Sequence, residues 1–284
     1  MLNKTEVVIR PDRIKREIIM FNKTNMLKVF SVIPITLLIC SVEIIMLILG
    51  RESIGTEGIR TFQNRFYGMA YQMTYSTRDQ ANLLQSMFGL AQPFIFNLLF
   101  GTHFYKDLHV SSIYFLTRQK KRSVWYYKKC AALFVYTGIY CFFQLIIPLI
   151  IAAISAQSVS IREALLLFVS SFLAFLFFTF LTTFMINILS LKFGSAFSFI
   201  IVYVFTVLCF FCAVTGPEIL FFNGKLSSCQ LNPIDNTMIL WHGGFFEKTI
   251  SIFINFIYVL IVFFIGLILI NRVDIGLVDK ESVI

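Results

Sequence analysis

The densest run of side chains able to do chemistry is YFLTRQKKRSVWYYKK, Tyr114 to Lys129. Six of its sixteen residues are basic: Arg118, Lys120, Lys121, Arg122, Lys128 and Lys129. Cations interleaved with aromatics such as Trp125, Tyr126 and Tyr127 have three uses. They neutralise nucleic-acid phosphates beside stacked bases. They hold a loop against anionic lipid headgroups, at about 1 kcal/mol per basic residue near the surface. Or they mark a loop that must stay in the cytoplasm. The segment in front of the cluster, Lys106 to Thr117, is different in kind. Asp107 and His109 lead to Ser111, Ser112, Ile113, Tyr114, Phe115 and Leu116, so a short helix here has a polar edge and an aromatic tip.

Other constellations are missing. No G-x-x-x-x-G-K-[ST] phosphate loop occurs; Gly224-Lys225 is the one Gly-Lys pair and lacks its companions. There is no H-E-x-x-H zinc site and no G-x-S-x-G nucleophile elbow. His103, His109 and His242 supply no intramembrane catalytic pair, so the chain reads as a non-enzyme. Cys209 and Cys212 form a C-x-x-C in the middle of an apolar run and read as small core residues. The remaining cysteines suggest no disulfide framework.

Polar groups within apolar runs are few. Glu43 lies roughly 9 Å below the outer end of its run at the helical rise. A carboxylate there is a functional hypothesis by default, for a transport path or a gate, with a structural role as the alternative. Gln85, Gly89 and Gln92 share one helical face, followed by Pro93 and Asn97. That stripe suits helix–helix contact or the lining of a central path. Gln144, Asn187 and Asn255 read as single interhelical hydrogen bonds.

The elements that must position these residues follow from composition. The 284 residues are 58% hydrophobic and only 14% charged, with a mean hydropathy of +0.81; soluble domains carry about 25% charged residues. The apolar runs are of the length that spans a bilayer as helices, about 20 residues each, and lack the short alternation of a membrane barrel. The expectation is an all-α polytopic membrane protein with six transmembrane helices: Val29–Leu49, Leu83–Phe104, Cys130–Ile154, Ala164–Ile188, Ser195–Val214 and Thr249–Ile270. Between the fourth and fifth, only Leu191-Lys192-Phe193-Gly194 offers a turn. The first run follows a long basic lead, with Gly50-Arg51-Glu52 rather than a cleavage site behind it, so it reads as a retained span.

Lys and Arg set the orientation. With the N-terminus inside, segments 1–28, 105–129, 189–194 and 271–284 hold 17 of the 24 basic residues, and the outer segments hold 7. Both termini are therefore expected in the cytoplasm. The net charge of +9 then needs no nucleic-acid partner.

Residues 1–28 place Ile14, Ile18 and Phe21 at helical spacing among Arg13, Lys15, Arg16 and Lys23. They read as an amphipathic helix on the inner leaflet, ahead of a six-span domain over 29–284. The outer loop 50–82 is polar and tyrosine-bearing. The outer loop 215–248 is too broken to span and too apolar for a solvated loop. It reads as a re-entrant segment between the fifth and sixth spans.

The order of features in 105–129 resembles the first cytoplasmic loop of permease subunits of the type-2 (ABC-2) exporter superfamily. There, an acidic residue after the second span leads through a short coupling helix to an Arg-rich turn and a Lys at the third span. Phe104, Asp107, Ser112, Tyr114, Arg118, Arg122 and Lys129 stand at corresponding places. The inner-leaflet helix, the six spans and the Pro-containing LNPID, Leu231 to Asp235, also resemble that family's layout.

The resemblance implies a permease that pairs with a second copy or a paralogue and with two separate ATP-binding subunits. ATP and Mg would be held on those subunits and no cofactor on this chain. It implies an ATPase-coupling segment comprising Asp107, Ser111, Ser112, Ile113, Tyr114, Phe115, Leu116 and Arg118. Lys120, Lys121, Arg122, Trp125, Lys128 and Lys129 would anchor the loop to the membrane surface. Small permeases of this build resemble those of Gram-positive bacteria that export peptides or confer immunity to bacteriocins and lantibiotics in the cell membrane. Two other readings stay open: a stand-alone membrane immunity or receptor-like protein, and an ion-coupled secondary carrier. The carrier reading wants inverted repeats and buried ion-binding carboxylates, and the sequence offers no repeat and only Glu43.

Overall fold

The computed structural model describes residues 83–107, 122–155, 160–215, 220–221, 226–227, 231–237 and 245–272, together with Leu27, 29–31, Ile33, Pro34 and Leu37. Five long helices dominate: α1 Leu83–Phe100, α2 Arg122–Ser155, α3 Ile161–Phe193, α4 Ser195–Thr215 and α5 Phe245–Arg272. Between α4 and α5 lie a two-residue antiparallel ladder, β1 Leu220–Phe221 with β2 Leu226–Ser227, and a 3-10 turn, Asp235–Thr237.

Four segments are long and apolar enough to cross a membrane: Arg122–Ala153, Ala164–Phe193, Ser195–Ala213 and Lys248–Asn271. The first expected span falls mostly outside the described residues. The inner-leaflet helix of 1–28 and the outer loop 50–82 lie outside them as well, apart from Leu27.

α3 is the hub and packs on each of the other four helices. From Ser171 to Leu191 none of its residues is exposed, the pattern of a helix enclosed by others, whereas Ile161, Leu165 and Leu166 in its first turns are exposed. Phe175, Phe178, Phe180, Leu181, Phe184, Ile186 and Ile188 are all buried along it. The surrounding helices bury one side and expose the other. On α4, Phe197, Ile200, Val204 and Leu208 are more than half exposed; on α5, so are Phe253, Phe264 and Ile268. Side chains this apolar, exposed on several helices, fit a lipid solvent and not water.

Helix limits differ from the apolar runs in instructive ways. α2 starts at Arg122, well before the expected Cys130, so Trp125, Lys128 and Lys129 sit on the helix and not in a loop. α3 runs through Leu191-Lys192-Phe193 and stops only at Gly194, whose φ of 77° is left-handed. The Gly194 carbonyl then accepts from the Ser198 amide (3.4 Å) and the Ser198 hydroxyl (2.6 Å) in the first turn of α4. One glycine therefore ends one helix and caps the next. The expected second span, Leu83–Phe104, is broken: α1 ends at Phe100, Gly101-Thr102 form a turn, and 103–107 is helical again.

Candidate functional site

The two ends of the basic loop come together. Asp107, at the end of the second expected span, forms an ion pair with Lys129 on α2, and both side chains are largely shielded. Just above the pair, Phe104 is fully buried. Its ring meets Trp125 at 5.8 Å, Tyr126 at 6.2 Å and Phe184 at 6.1 Å, all edge-on. The described residues on either side of 108–121, namely 103–107 and the first turns of α2, are thus joined to each other and to α3 in one doorway. The loop residues Ser111, Ser112, Ile113, Tyr114, Phe115, Leu116, Arg118, Lys120 and Lys121 lie outside the described residues.

Two expected anchors have other work. Trp125, expected at the headgroup level, is buried against Phe104 and only 5% exposed. It packs inward because α2 already begins at Arg122, which turns Trp125 and Tyr126 onto the inner face. Lys129, expected at the lipid surface, pairs its ammonium with the Asp107 carboxylate. Lys128 is exposed and Arg122 half-buried.

Tyr126 adds a tie that no motif in the sequence announces. Its hydroxyl donates to the Phe263 carbonyl on α5 at 2.8 Å. Gly266, one turn along α5, makes the socket: a Cβ there would collide with the Tyr126 hydroxyl and lie 2.5 Å from Ile188 Cδ1.

The polar stripe of the second expected span resolves into separate parts. Asn97 is fully buried; its Nδ2 donates to Thr182 Oγ1 (3.3 Å), and its Oδ1 accepts from Thr183 Oγ1 (2.5 Å). That is helix–helix contact, one of the two uses expected of it. Gln92 is buried; its backbone carbonyl accepts from the Tyr140 hydroxyl at 2.9 Å, while its Oε1 has no hydrogen-bond partner among the described residues. Glu43 and the side chain of Gln85 lie outside the described residues. Gln144 is buried, and among the described residues neither of its side-chain polar atoms finds the expected interhelical bond.

Asn187 does more than one interhelical bond. Its Oδ1 accepts from the Phe104 amide at 2.8 Å, and its Nδ2 donates to the Phe100 carbonyl at 2.9 Å and to the Thr183 carbonyl at 2.9 Å. In a continuous helix the Phe104 amide would donate to the Phe100 carbonyl. The carboxamide stands between the two and satisfies both, a side-chain insertion of the kind that breaks a helix. Gly101 lies in the break, where a Cβ would meet Asn97 O at 2.5 Å and Ile186 Cγ2 and Phe199 Cζ at 3.0 Å.

At the opposite end of the bundle, LNPID folds onto the helices. Asn232 Nδ2 donates to the Cys209 carbonyl (2.6 Å), and Asn255 Nδ2 to the Pro233 carbonyl (3.2 Å). The Tyr258 hydroxyl donates to the Leu231 carbonyl (2.7 Å), and Ile234, Asp235 and Asn236 are buried. Asn255 therefore serves this segment and not a neighbouring long helix. Cys209 and Cys212 are both free thiols. Among the described residues, no group of His, Cys, Asp and Glu has the makings of a metal site.

No family model, curated protein or solved structure matches the chain. The functional reading therefore rests on the residues and their geometry.

Proposed function

We propose that the chain is the membrane-spanning permease subunit of an ABC exporter, moving a peptide or other amphipathic substrate with ATP hydrolysed on a separate subunit. The observation that carries this reading is the doorway at the basic loop. A membrane helix has no need to grip both ends of a solvent loop with a shielded ion pair, an aromatic box and a spliced backbone. A loop that receives force from outside the membrane does, because a slack attachment would absorb the stroke.

In this reading the loop is cytoplasmic, as the distribution of Lys and Arg favours. Tyr114, Phe115 and Leu116 enter a groove on the ATPase, Arg118 fixes the contact, and Lys120 and Lys121 hold the loop at the lipid surface. The sequence contains no phosphate loop, so ATP and Mg belong to the partner. Six spans with an inner-leaflet helix complete the permease. LNPID, bonded to α4 and α5, is the inner wall of a re-entrant outer segment. A second copy or a paralogue completes the transporter, in a bacterial cell membrane.

The test is purification of the tagged chain from its native membrane in mild detergent. The reading expects an ATP-binding subunit in the complex, and transport in vesicles that requires ATP. Arg118→Glu, or Tyr114→Ala with Phe115→Ala, should leave the chain folded but uncouple hydrolysis from transport. Full transport by these variants would overturn the reading.

A further inference from the structure

We propose that Asn187 is a positioning residue: its carboxamide, spliced into the break between α1 and 103–107, sets the direction in which the loop leaves the membrane bundle and ties that direction to α3. The transport half of this inference rests on the permease reading above; the splice itself does not.

Three observations support it. First, the two bonds fill one gap. The Phe104 amide and the Phe100 carbonyl are an i, i+4 pair that would satisfy each other in an unbroken helix, and Asn187 takes both, at 2.8 and 2.9 Å. An asparagine that merely held two helices together would have no reason to choose both halves of one ladder bond. Second, the break is built for close approach. Gly101 leaves no room for a Cβ between Asn97 O, Ile186 Cγ2 and Phe199 Cζ, so the turn is seated against α3 and α4. Third, the segment beyond the break is firmly held. Phe104 is buried, and Asp107, three residues further on, is paired with Lys129.

The consequence is mechanical. A displacement of the loop arrives at Asp107, passes through 103–107, and meets Asn187 on α3, the helix that packs on all four of the others. The 103–107 segment can turn relative to α1 only if α3 moves with it, or if the carboxamide withdraws and the Phe104 amide falls back on the Phe100 carbonyl. Burial leaves no water to take either bond, so the two arrangements are discrete.

The experiment uses the full chain in lipid nanodiscs. Hydrogen exchange is followed by mass spectrometry on peptides covering 100–107 and, separately, 175–193. Asn187→Leu removes both bonds, whereas Asn187→Asp keeps the acceptor for the Phe104 amide and loses the donor to the Phe100 carbonyl. Asn187→Leu should speed exchange in 100–107 at least tenfold while 175–193 stays within twofold of the parent. Asn187→Asp should fall between the two; it carries the test alone if the leucine variant does not fold. With the ATPase present, both variants should lower substrate moved per ATP hydrolysed, and leave the KM for ATP unchanged.

Unchanged exchange in 100–107 would overturn the splice. Equal acceleration in both peptides would show a merely structural residue and overturn it too. Local acceleration with an unchanged transport-to-hydrolysis ratio would overturn the positioning role. If no ATPase partner exists, the permease reading fails and the exchange experiment still decides the splice.

Discussion

Gly266→Ala is the sharpest test of the packing that holds the loop doorway to α5. In an open helical position, alanine is favoured over glycine by about 0.8–1.0 kcal/mol. At Gly266 the added methyl would collide with the Tyr126 hydroxyl and lie 3.0 Å from its Cζ and 2.5 Å from Ile188 Cδ1. Ile188 Cδ1 is the end of a flexible side chain and can turn away. Tyr126 is fully buried and fixed by its bond to the Phe263 carbonyl, so it cannot move without losing that bond. Overpacking of this kind costs about 1–3 kcal/mol, which outweighs the gain in propensity.

The measurement is thermal unfolding in detergent, where roughly 2–4 °C per kcal/mol is expected for a chain of this size. Gly138 is the control: it lies within α2, and a Cβ there would meet none of the described residues within 4 Å, so Gly138→Ala should raise the midpoint. Tyr126→Phe removes the clashing oxygen and the hydrogen bond together, for about 0.5–1.5 kcal/mol. In that background Gly266→Ala should cost at least about 1 kcal/mol less than in the parent, a coupling well outside the ~0.3–0.5 kcal/mol scatter of independent sites. A stabilising Gly266→Ala, or strict additivity with Tyr126→Phe, would refute the socket.

Two further outcomes follow from the same geometry. Asp107→Lys or Lys129→Asp alone places like charges at a shielded contact and should destabilise the chain by roughly 1–3 kcal/mol. The exchanged pair should recover more than half of that, read by unfolding in detergent, and a double variant no better than the worse single would refute the pairing. Gly194→Ala meets none of the described residues but must adopt a φ of 77°, so it should cost about 1–2 kcal/mol through backbone strain, with Gly194→Asn milder. Equal midpoints for Gly194→Ala and the parent would show that the junction of α3 and α4 does not depend on the left-handed turn.

The long helices are legible in the sequence because a bilayer-length apolar run leaves few alternatives. Their ends are not, for a physical reason that is clearest in α2. Arg122, Lys128 and Lys129 suggest a loop by charge, yet Trp125 and Tyr126, Cys130, Leu133, Tyr136, Tyr140 and Cys141 are all buried at helical spacing. The period runs unbroken through the basic stretch and places the helix start correctly once it outweighs charge. The ion pair of Asp107 is half legible: the family-like pattern puts Asp107 and Lys129 at the two ends of one loop but does not join them.

The Asn187 splice has only a faint signal, the Gly101-Thr102 pair inside an apolar run. Recognising it needs the register of α3 against α1, which no local pattern carries. Asn255 is legible as a hydrogen-bonding residue. Its partner is not, because LNPID returns to the bundle from a loop and not from a helix.

The proposed function, transport driven by a separate ATPase subunit, is open to one direct test. The direct measurement is ATP hydrolysis and transport by the complex purified through a tag on this chain and reconstituted in vesicles. The expected result is a bound subunit bearing G-x-x-x-x-G-K-[ST], ATP-dependent transport, and loss of coupled transport with Arg118→Glu while the subunit's basal hydrolysis persists. A chain that purifies alone and keeps its full activity in cells lacking every such ATPase would contradict it.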